Sequence, residues 1–206
     1  MTRVVGVVLA GGLATRMGGG PKALLRVGGQ TLMDHVIKRL QAQVPDIAIN
    51  ANADLERYED FGFPILRDTI AGHLGPLAGV LAGLRWAQTK GATHVVSVAG
   101  DTPFFPDDLV VRLLAAIDPD HPIALAATLD PERGALRQPT FGLWPVDLAD
   151  DLEEALSDGL RKIVAWTDRH GTGIAEFSPE PFDPFFNVNT PDDRLRAEEL
   201  AAEFTL

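Results

Sequence analysis

The sequence predicts an α/β fold, a mostly parallel sheet with helices on both faces, and three observations predict it. Short β-branched runs recur along the chain, amphipathic helical stripes lie between them, and a glycine-rich segment follows directly on the first run.

Val4–Leu9 is a continuous apolar run of the kind that forms a strand buried on both faces of a parallel sheet. Ile47–Ala51, Ile65–Arg67, Val95–Ala99 and Ile123–Ala127 repeat that pattern. Between them, Leu32, Val36 and Leu40 recur at intervals of four with Met33 and Ile37 beside them, one apolar stripe of a helix for which Thr31 is a suitable N-cap. Leu77, Val80, Leu81 and Leu84 make a second stripe, and Leu109, Val110, Leu113, Leu114 and Ile117 a third. The third begins with Pro106-Asp107-Asp108, where the proline's fixed φ and the two carboxylates suit a helix N-terminus. Beyond about Asp130 the pattern loses regularity and prolines accumulate, which predicts loops, short strands and helices covering the sheet. Thr190-Pro191-Asp192-Asp193 announces a final helix.

The chain has 206 residues, within the range of a single domain. Hydrophobic residues are 46% and charged residues 23%, an ordinary globular composition. Lys and Arg number 18 against 29 Asp and Glu, a formal charge of −11, which argues against nucleic acid or an anionic membrane as a partner. A phosphate-bearing ligand must therefore be held by a few local cations or by backbone dipoles. There are no cysteines, so disulfides, thiolate metal sites and cysteine nucleophiles are excluded. The N-terminal apolar run is too short and too glycine-broken for a signal peptide, and no stretch reaches the ~18 apolar residues of a membrane span. The expected location is the cytoplasm.

In parallel sheets ligands sit beyond the carboxyl ends of the strands. That rule directs attention to Ala10–Lys22, Asn50–Asn52, Asp68–Pro76 and Gly100–Phe104. Leu9–Lys22 holds five glycines and two cations, Arg16 and Lys22. Glycines let backbone N–H groups approach a phosphate, and the cations neutralise the charge that remains. Neither the P-loop spacing nor G-x-G-x-x-G is present. Asp101, at the end of Val95–Ala99, is placed to share a hard divalent cation with substrate phosphates, or else to cap the turn before Pro103. Asp68 can accept hydrogen bonds from a base or ribose, or serve its own turn or Arg67; Asn50 and Asn52 carry the same two readings. Gly75–Gly79 opens a helix, with Gly79 reading as a close contact to the first strand. Alternation sends Asn187 and Asn189 to one side of an extended segment and Val188 to the other, a ligand contact or a cap. The five histidines lack metal-ligand spacing and there is no G-x-S-x-G elbow. The three tryptophans read as packing.

These segments together resemble the nucleotidyltransferase family, and within it the molybdenum cofactor guanylyltransferase branch. The residues that carry the resemblance are Leu9–Lys22, Asn50-Ala51-Asn52, Asp68, Gly75–Gly79, Asp101-Thr102-Pro103, Gln138-Pro139-Thr140 and Phe186–Pro191. Gln138 stands where the family usually has His, and Pro21 where an acidic residue is common. The resemblance implies a single-domain, Rossmann-like three-layer αβα fold over residues 1–206, about 1–128 being a nucleotide-binding half and about 129–206 a pterin-side half. It implies transfer of GMP from GTP to the terminal phosphate of molybdopterin, with release of pyrophosphate. Leu9, Ala10, Gly11 and Gly12 would line the guanine and ribose site, Asn50 and Asp68 would help hold GTP, and Lys22 would contact phosphate. Arg16, Lys22 and Asp101 would carry catalysis, Asp101 binding Mg²⁺, while Asn187 and Asn189 would face the pterin. Arg133, Arg137, Arg161 and Lys162 are candidates for attracting the pterin phosphate. Molybdoenzymes or cofactor-insertion proteins would be partners. The alternatives are a cytidylyl- or sugar-phosphate nucleotidyltransferase and a non-catalytic GTP-binding maturation factor.

Overall fold

A strand whose residues are all apolar must be covered on both sides, and β1 (Val4–Leu9) sits near the middle of a sheet for that reason. In the computed structural model, residues 2–11, 19–70, 72 and 75–204 are described. After β1 come a single 3-10 turn at Lys22–Leu24, the two-residue strands β2 (Arg26–Val27) and β3 (Gln30–Thr31), α1 (Leu32–Gln41) and β4 (Ile47–Asn50). Then follow α2 (Glu56–Glu59), β5 (Ile65–Leu66), α3 (Pro76–Thr89), β6 (His94–Ala99) and α4 (Leu109–Ala115). The second half supplies β7 (Ile123–Asp130), β8 (Gly134–Pro145), α5 (Ala149–Ser157), α6 (Ile163–His170), β9 (Thr172–Phe177) and α7 (Pro191–Phe204).

The main sheet has seven strands in the order β5-β4-β1-β6-β8-β7-β9. β1 pairs in parallel with β4 and β6, β4 with β5, and β7 with β9; β8 alone runs against its two neighbours. Alternation along β1 sends Val8 into one core, with Met33, Val36 and Leu40 of α1 and Leu109 and Leu113 of α4. Val5 and Val7 enter the other, with Leu77, Leu81 and Leu84 of α3, Leu152 of α5 and Trp166 of α6. Two apolar layers on opposite faces of one sheet make the expected three-layer αβα arrangement. A third, smaller core gathers Val27, Leu32, Phe104, Val188, Ala197 and Leu200 under α7. Trp144 and Trp166 pack in the second core, ring centroids 6.1 Å apart. None of the helices among the described residues is long and apolar enough to cross a membrane.

Two elements differ from expectation. Ile123–Ala127 is a strand, but its neighbour on the β6 side is the antiparallel β8, a 12-residue strand within the sheet where the irregular pattern predicted loops, short strands and helices covering it. Pro139 conceals β8 in the sequence because a proline cannot donate to a ladder. The fold accommodates it where the β7–β8 register shifts between Leu125 and Ala126, so that Leu125 faces Gly142 and Ala126 faces Gln138. The third helix begins at Leu109 and not at Pro106: the carbonyl of Pro106 accepts the N–H of Leu109 at 3.2 Å, so Pro106-Asp107-Asp108 form the turn leading in.

Thr31 caps α1 as its chemistry requires. Its Oγ1 accepts the N–H of Asp34 at 3.1 Å while Asp34 Oδ2 accepts the N–H of Thr31 at 2.8 Å, a reciprocal capping box. Thr31→Ala is expected to cost about 1 kcal/mol, read as a fall of roughly 2–4 °C in the melting temperature of a chain this size.

Candidate active site

Parallel pairing in register sets Leu9 abreast of Asn50 on one side and Ala99 on the other, so the segments leaving β1, β4 and β6 emerge together at one edge. A cavity of about 690 Å³ opens there, a size typical of small-molecule sites. Leu9, Ala10 and Gly11 form one wall, Asn50 and Asp68 the next, and Lys22 with Asp101 the third. Asn187 and Thr140 also line the cavity, and Gly75 and Pro76 bring the N-terminal end of α3 to the rim. The close fit of these walls depends on glycine. At Gly79, inside α3, a Cβ would lie 2.8 Å from Leu9 Cδ2 and 2.9 Å from Asn50 Cγ, and would collide with Asn50 Oδ1.

The charged centre joins three parts of the chain. Lys22 Nζ lies 2.5 Å from Asp101 Oδ2, and the two side chains are 10% and 24% exposed. The same ammonium donates to Asn189 Oδ1. Next along β6's exit, the fully buried Thr102 hydroxyl bonds Asn187 Oδ1 and lies 3.2 Å from Asp101 Oδ1. The N–H of Val188 donates to the carbonyl of Asp101 at 3.0 Å, and its side chain is completely buried in the third core. Asn187 and Asn189 therefore do fall on one side and Val188 on the other. Sequence alternation found the pair; it could not find the partners, which lie 85 and 167 residues away in the chain.

On the opposite wall, Asn50 Nδ2 donates to Asp68 Oδ1 at 2.9 Å and to the carbonyl of Leu66 at 3.2 Å, and the N–H of Asp68 donates to Asn52 Oδ1 at 2.9 Å. Asp68 is thus held by the two asparagines that leave β4. Below this wall lies a residue that sequence reasoning missed. Tyr58, on α2, is buried and donates its hydroxyl to the carbonyl of Ala10 at 3.3 Å, bracing the start of the glycine segment. Burial, helped by the negative charge of Asp54 and opposed by Arg57, pushes its phenol up to about 12.

Several expected contributors are placed elsewhere. Arg16 and Gly12 lie outside the described residues. Arg133, Arg137, Arg161 and Lys162 do not reach the cavity, and among the described residues that line it Lys22 is the only cation. Arg137 pairs with Asp168 at 2.7 Å, Arg161 donates to the carbonyls of Leu156 and Leu160, and Lys162 precedes α6. Arg137 lies on β8 and Arg133 in the turn before it, at the tip of the β7–β8 pair where Asp130 stands abreast of Gly134. Gln138 donates to Thr128 Oγ1 at 3.2 Å and ties β8 to β7. Pro21 is extended, with φ −67°, and its carbonyl starts the 3-10 turn that presents Lys22.

Among the described residues there is no group of three or more His, Cys, Asp or Glu able to cage a metal. Two carboxylates line the cavity, Asp68 and Asp101, and a hard cation that keeps most of its water takes one or two carboxylates from the protein, so Asp101 beside Lys22 fits such an ion.

A glycine segment leaving the first strand, a lysine–aspartate pair across the carboxyl edge and a mostly parallel sheet define a nucleotidyltransferase of the Rossmann-like type. The profile described as the MobA-like NTP transferase domain matches residues 6–172, and the chain belongs to that family. Molybdenum cofactor guanylyltransferase from Bradyrhizobium sp. (strain ORS 278) is 45% identical over 98% of this chain and 94% of that protein. The protein of the same name from Mesorhizobium japonicum is 44% identical over 98% of each chain. Among solved structures, the molybdopterin-guanine dinucleotide biosynthesis protein A of Archaeoglobus fulgidus superposes with TM-score 0.69 at 24% identity, covering 97% of this chain and 100% of that one. The 4-diphosphocytidyl-2C-methyl-D-erythritol synthase of Anaerococcus prevotii gives TM-score 0.75 at 13% identity over 98% and 96%, a likeness of fold.

Two measurements check this geometry. Alanine normally favours a helix over glycine by about 1 kcal/mol, but the collision with Asn50 and Leu9 reverses the sign, so Gly79→Ala is expected to destabilise by about 1–3 kcal/mol in urea unfolding. Tyr58 is the only tyrosine, so its ionisation can be followed by ultraviolet absorbance. Because its folded value is raised from 10.0 to about 12, the contribution of Tyr58 to stability is constant below the unfolded value and falls as pH rises from 10 towards 12. Tyr58→Phe is expected to flatten that fall.

Proposed function

We propose that this chain transfers GMP from GTP to the terminal phosphate of molybdopterin carrying molybdenum, releasing pyrophosphate and forming molybdopterin guanine dinucleotide. The observation that carries this reading is the Lys22–Asp101 pair at the carboxyl edge of β1 and β6, with Asn189 joined to it. The family membership and the relatives' names supply the substrates.

An oxygen of the acceptor phosphate attacks the α-phosphorus of GTP, and the bond from that phosphorus to the pyrophosphate oxygen breaks. No enzyme nucleophile is required. The protein must hold two anions in contact and stabilise the charge that moves onto the leaving group, and positioning of this kind can lower a barrier by ~7–11 kcal/mol. The backbone of Leu9, Ala10 and Gly11, with Ala10 held by Tyr58, would take guanine and ribose, and Gly12 is assigned to the same role by the family resemblance. Asn50 and Asp68 complete the nucleoside wall. Lys22 is already in the site, shared between a carboxylate and an amide, and turns to the phosphates as they enter; Arg16 adds the second positive charge. Asn187 and Asn189 receive the acceptor. Asp101 would hold Mg²⁺, which when bound neutralises phosphate charge. Residues of about 1–128 thus serve the nucleotide and those of about 129–206 the pterin. The protein would work in the cytoplasm and hand its product to molybdoenzymes or cofactor-insertion proteins.

A pyrophosphate-release assay with each nucleoside triphosphate, with and without molybdopterin, tests the reading. Release that needs both GTP and molybdopterin is expected. Release with CTP or with a sugar phosphate instead would reassign the substrate, and GTP binding with no release would make the chain a carrier. Loss of one preorganised charge contact typically costs ~3–4 kcal/mol, so Lys22→Ala and Asp101→Ala are each expected to cut turnover at least about a hundredfold while circular dichroism stays unchanged.

A further inference from the structure

The segment that carries Asn187 and Asn189 is extended but belongs to no strand, so something other than a ladder must fix it. Val188 anchors its middle, through its N–H on the Asp101 carbonyl and its side chain in the third core. Asn189 itself is exposed and enters no core, its side chain meeting only Lys22 among the described residues. Its backbone is held from the far end, by the first turn of α7.

Two helices of this chain start with the same Thr-x-x-Asp pattern, which allows a comparison within one molecule. In α1 the Asp34 carboxylate returns to the N–H and the hydroxyl of its own cap residue, Thr31. In α7, Thr190 Oγ1 accepts the N–H of Asp193 at 3.2 Å, and Asp193 Oδ2 accepts the N–H of Thr190 at 2.8 Å, which completes the cap. The same oxygen reaches one residue further back and accepts the N–H of Asn189 at 2.9 Å. That bond does nothing for the helix, because Asn189 precedes the cap. Its effect is to set the backbone from which the Asn189 amide reaches Lys22 Nζ. α7 is in turn fixed against the β2–β3 turn, where Glu198 accepts the N–H of Gly28 at 2.7 Å. Partial burial pushes the Asp193 carboxyl up, but the bonds from Asn189 and Thr190 and the positive charge of Lys22 hold it below the ordinary aspartate value.

We propose that Asp193 is a positioning residue: by holding the Asn189 backbone it sets the Asn189 amide against Lys22, and so fixes where the acceptor side of the cavity meets the phosphate side. The proposal rests on the transferase reading above, and it assigns Asp193 no contact with substrate. A misplacement of about 1 Å at such a junction can cost up to two orders of magnitude in rate, and a partial loss of restraint correspondingly less.

The test is a cycle of variants in the full chain, each checked by thermal melting. Asp193→Ala is expected to lower kcat about tenfold, and Asp193→Asn, which keeps an oxygen to accept both N–H groups, to stay within about threefold of the parent. Asp34→Ala removes the matching cap of α1 and is expected to lower the melting temperature comparably with kcat within about twofold of the parent. Since Asp193 acts through Asn189, the double variant Asp193→Ala/Asn189→Ala is expected to match Asn189→Ala alone within about twofold. Independent, multiplying losses would overturn the proposal, as would an unchanged kcat in Asp193→Ala. Should Asp193→Ala fail to fold, Asp193→Glu, which sets the carboxylate one methylene away from both N–H groups, takes its place in the cycle. A second readout does not depend on activity: in ¹⁵N-labelled protein the Asn189 side-chain amide resonance is expected to move in Asp193→Ala and not in Asp34→Ala, and an unmoved resonance overturns the proposal. If the parent protein releases no pyrophosphate, the transferase reading fails, and the resonance still decides whether Asp193 places Asn189.

Discussion

The contact between Lys22 and Asp101 is the constraint around which this molecule is arranged. A lysine and an aspartate this little exposed cannot be left single, because an unpaired charge in a low-dielectric pocket costs several kcal/mol. The pair therefore ties the turn that ends the glycine segment to the end of β6. Asn189 adds a third chain segment to the same ammonium. Three parts of the molecule are referenced to this point: β1 and β6 by their register, the segment 187–190 by the Val188 bond to Asp101, and α7 by its packing with Val188 in the third core.

The protein is acidic, and among the described residues that line the cavity Lys22 is the only cation. With a formal charge of −11 the molecule as a whole repels phosphate, yet Lys22 projects into the cavity from a short turn, and the N-terminal end of α3 reaches the rim. In the reaction proposed above, Lys22, a buried cation already balanced by a carboxylate, would exchange one anionic partner for another as a phosphate entered, so its charge would not be taken out of water at the moment of binding. The desolvation has been met in folding. This is preorganisation in the electrostatic sense.

How much of this was legible before folding depends on the range of each interaction. β1, β4, β6 and the helical stripes were readable because their periods are local and their faces are wholly buried. The asparagine pair was readable through alternation, and the caps at Thr31 and Thr190 through residue type, with a proline following Thr190. β8 was not, because Pro139 breaks the pattern of a strand and only its neighbours β6 and β7 make the register shift that accommodates it. The cations of the second half were misplaced for a related reason. Charge alone gives no address, and Arg137 and Arg161 are satisfied by Asp168 and by helix-end carbonyls away from the cavity. Tyr58 gave no signal at all, since its role is to meet a carbonyl 48 residues earlier in the chain.

From the order of its residues alone, this chain determined an α/β architecture, the edge of the sheet where chemistry belongs, and the residue types available there: glycines, one lysine beside a proline, a strand-end aspartate and two alternating asparagines. These follow from short-range sterics and from the burial of apolar faces, which act between near neighbours. Tertiary structure alone decided that Lys22 meets Asp101 and Asn189, that Asp68 is held by Asn50 and Asn52, and that Gly79 leaves room for Asn50. Those are contacts between distant segments, chosen by the register of the sheet and by the need to pair buried charge, and no local pattern encodes them.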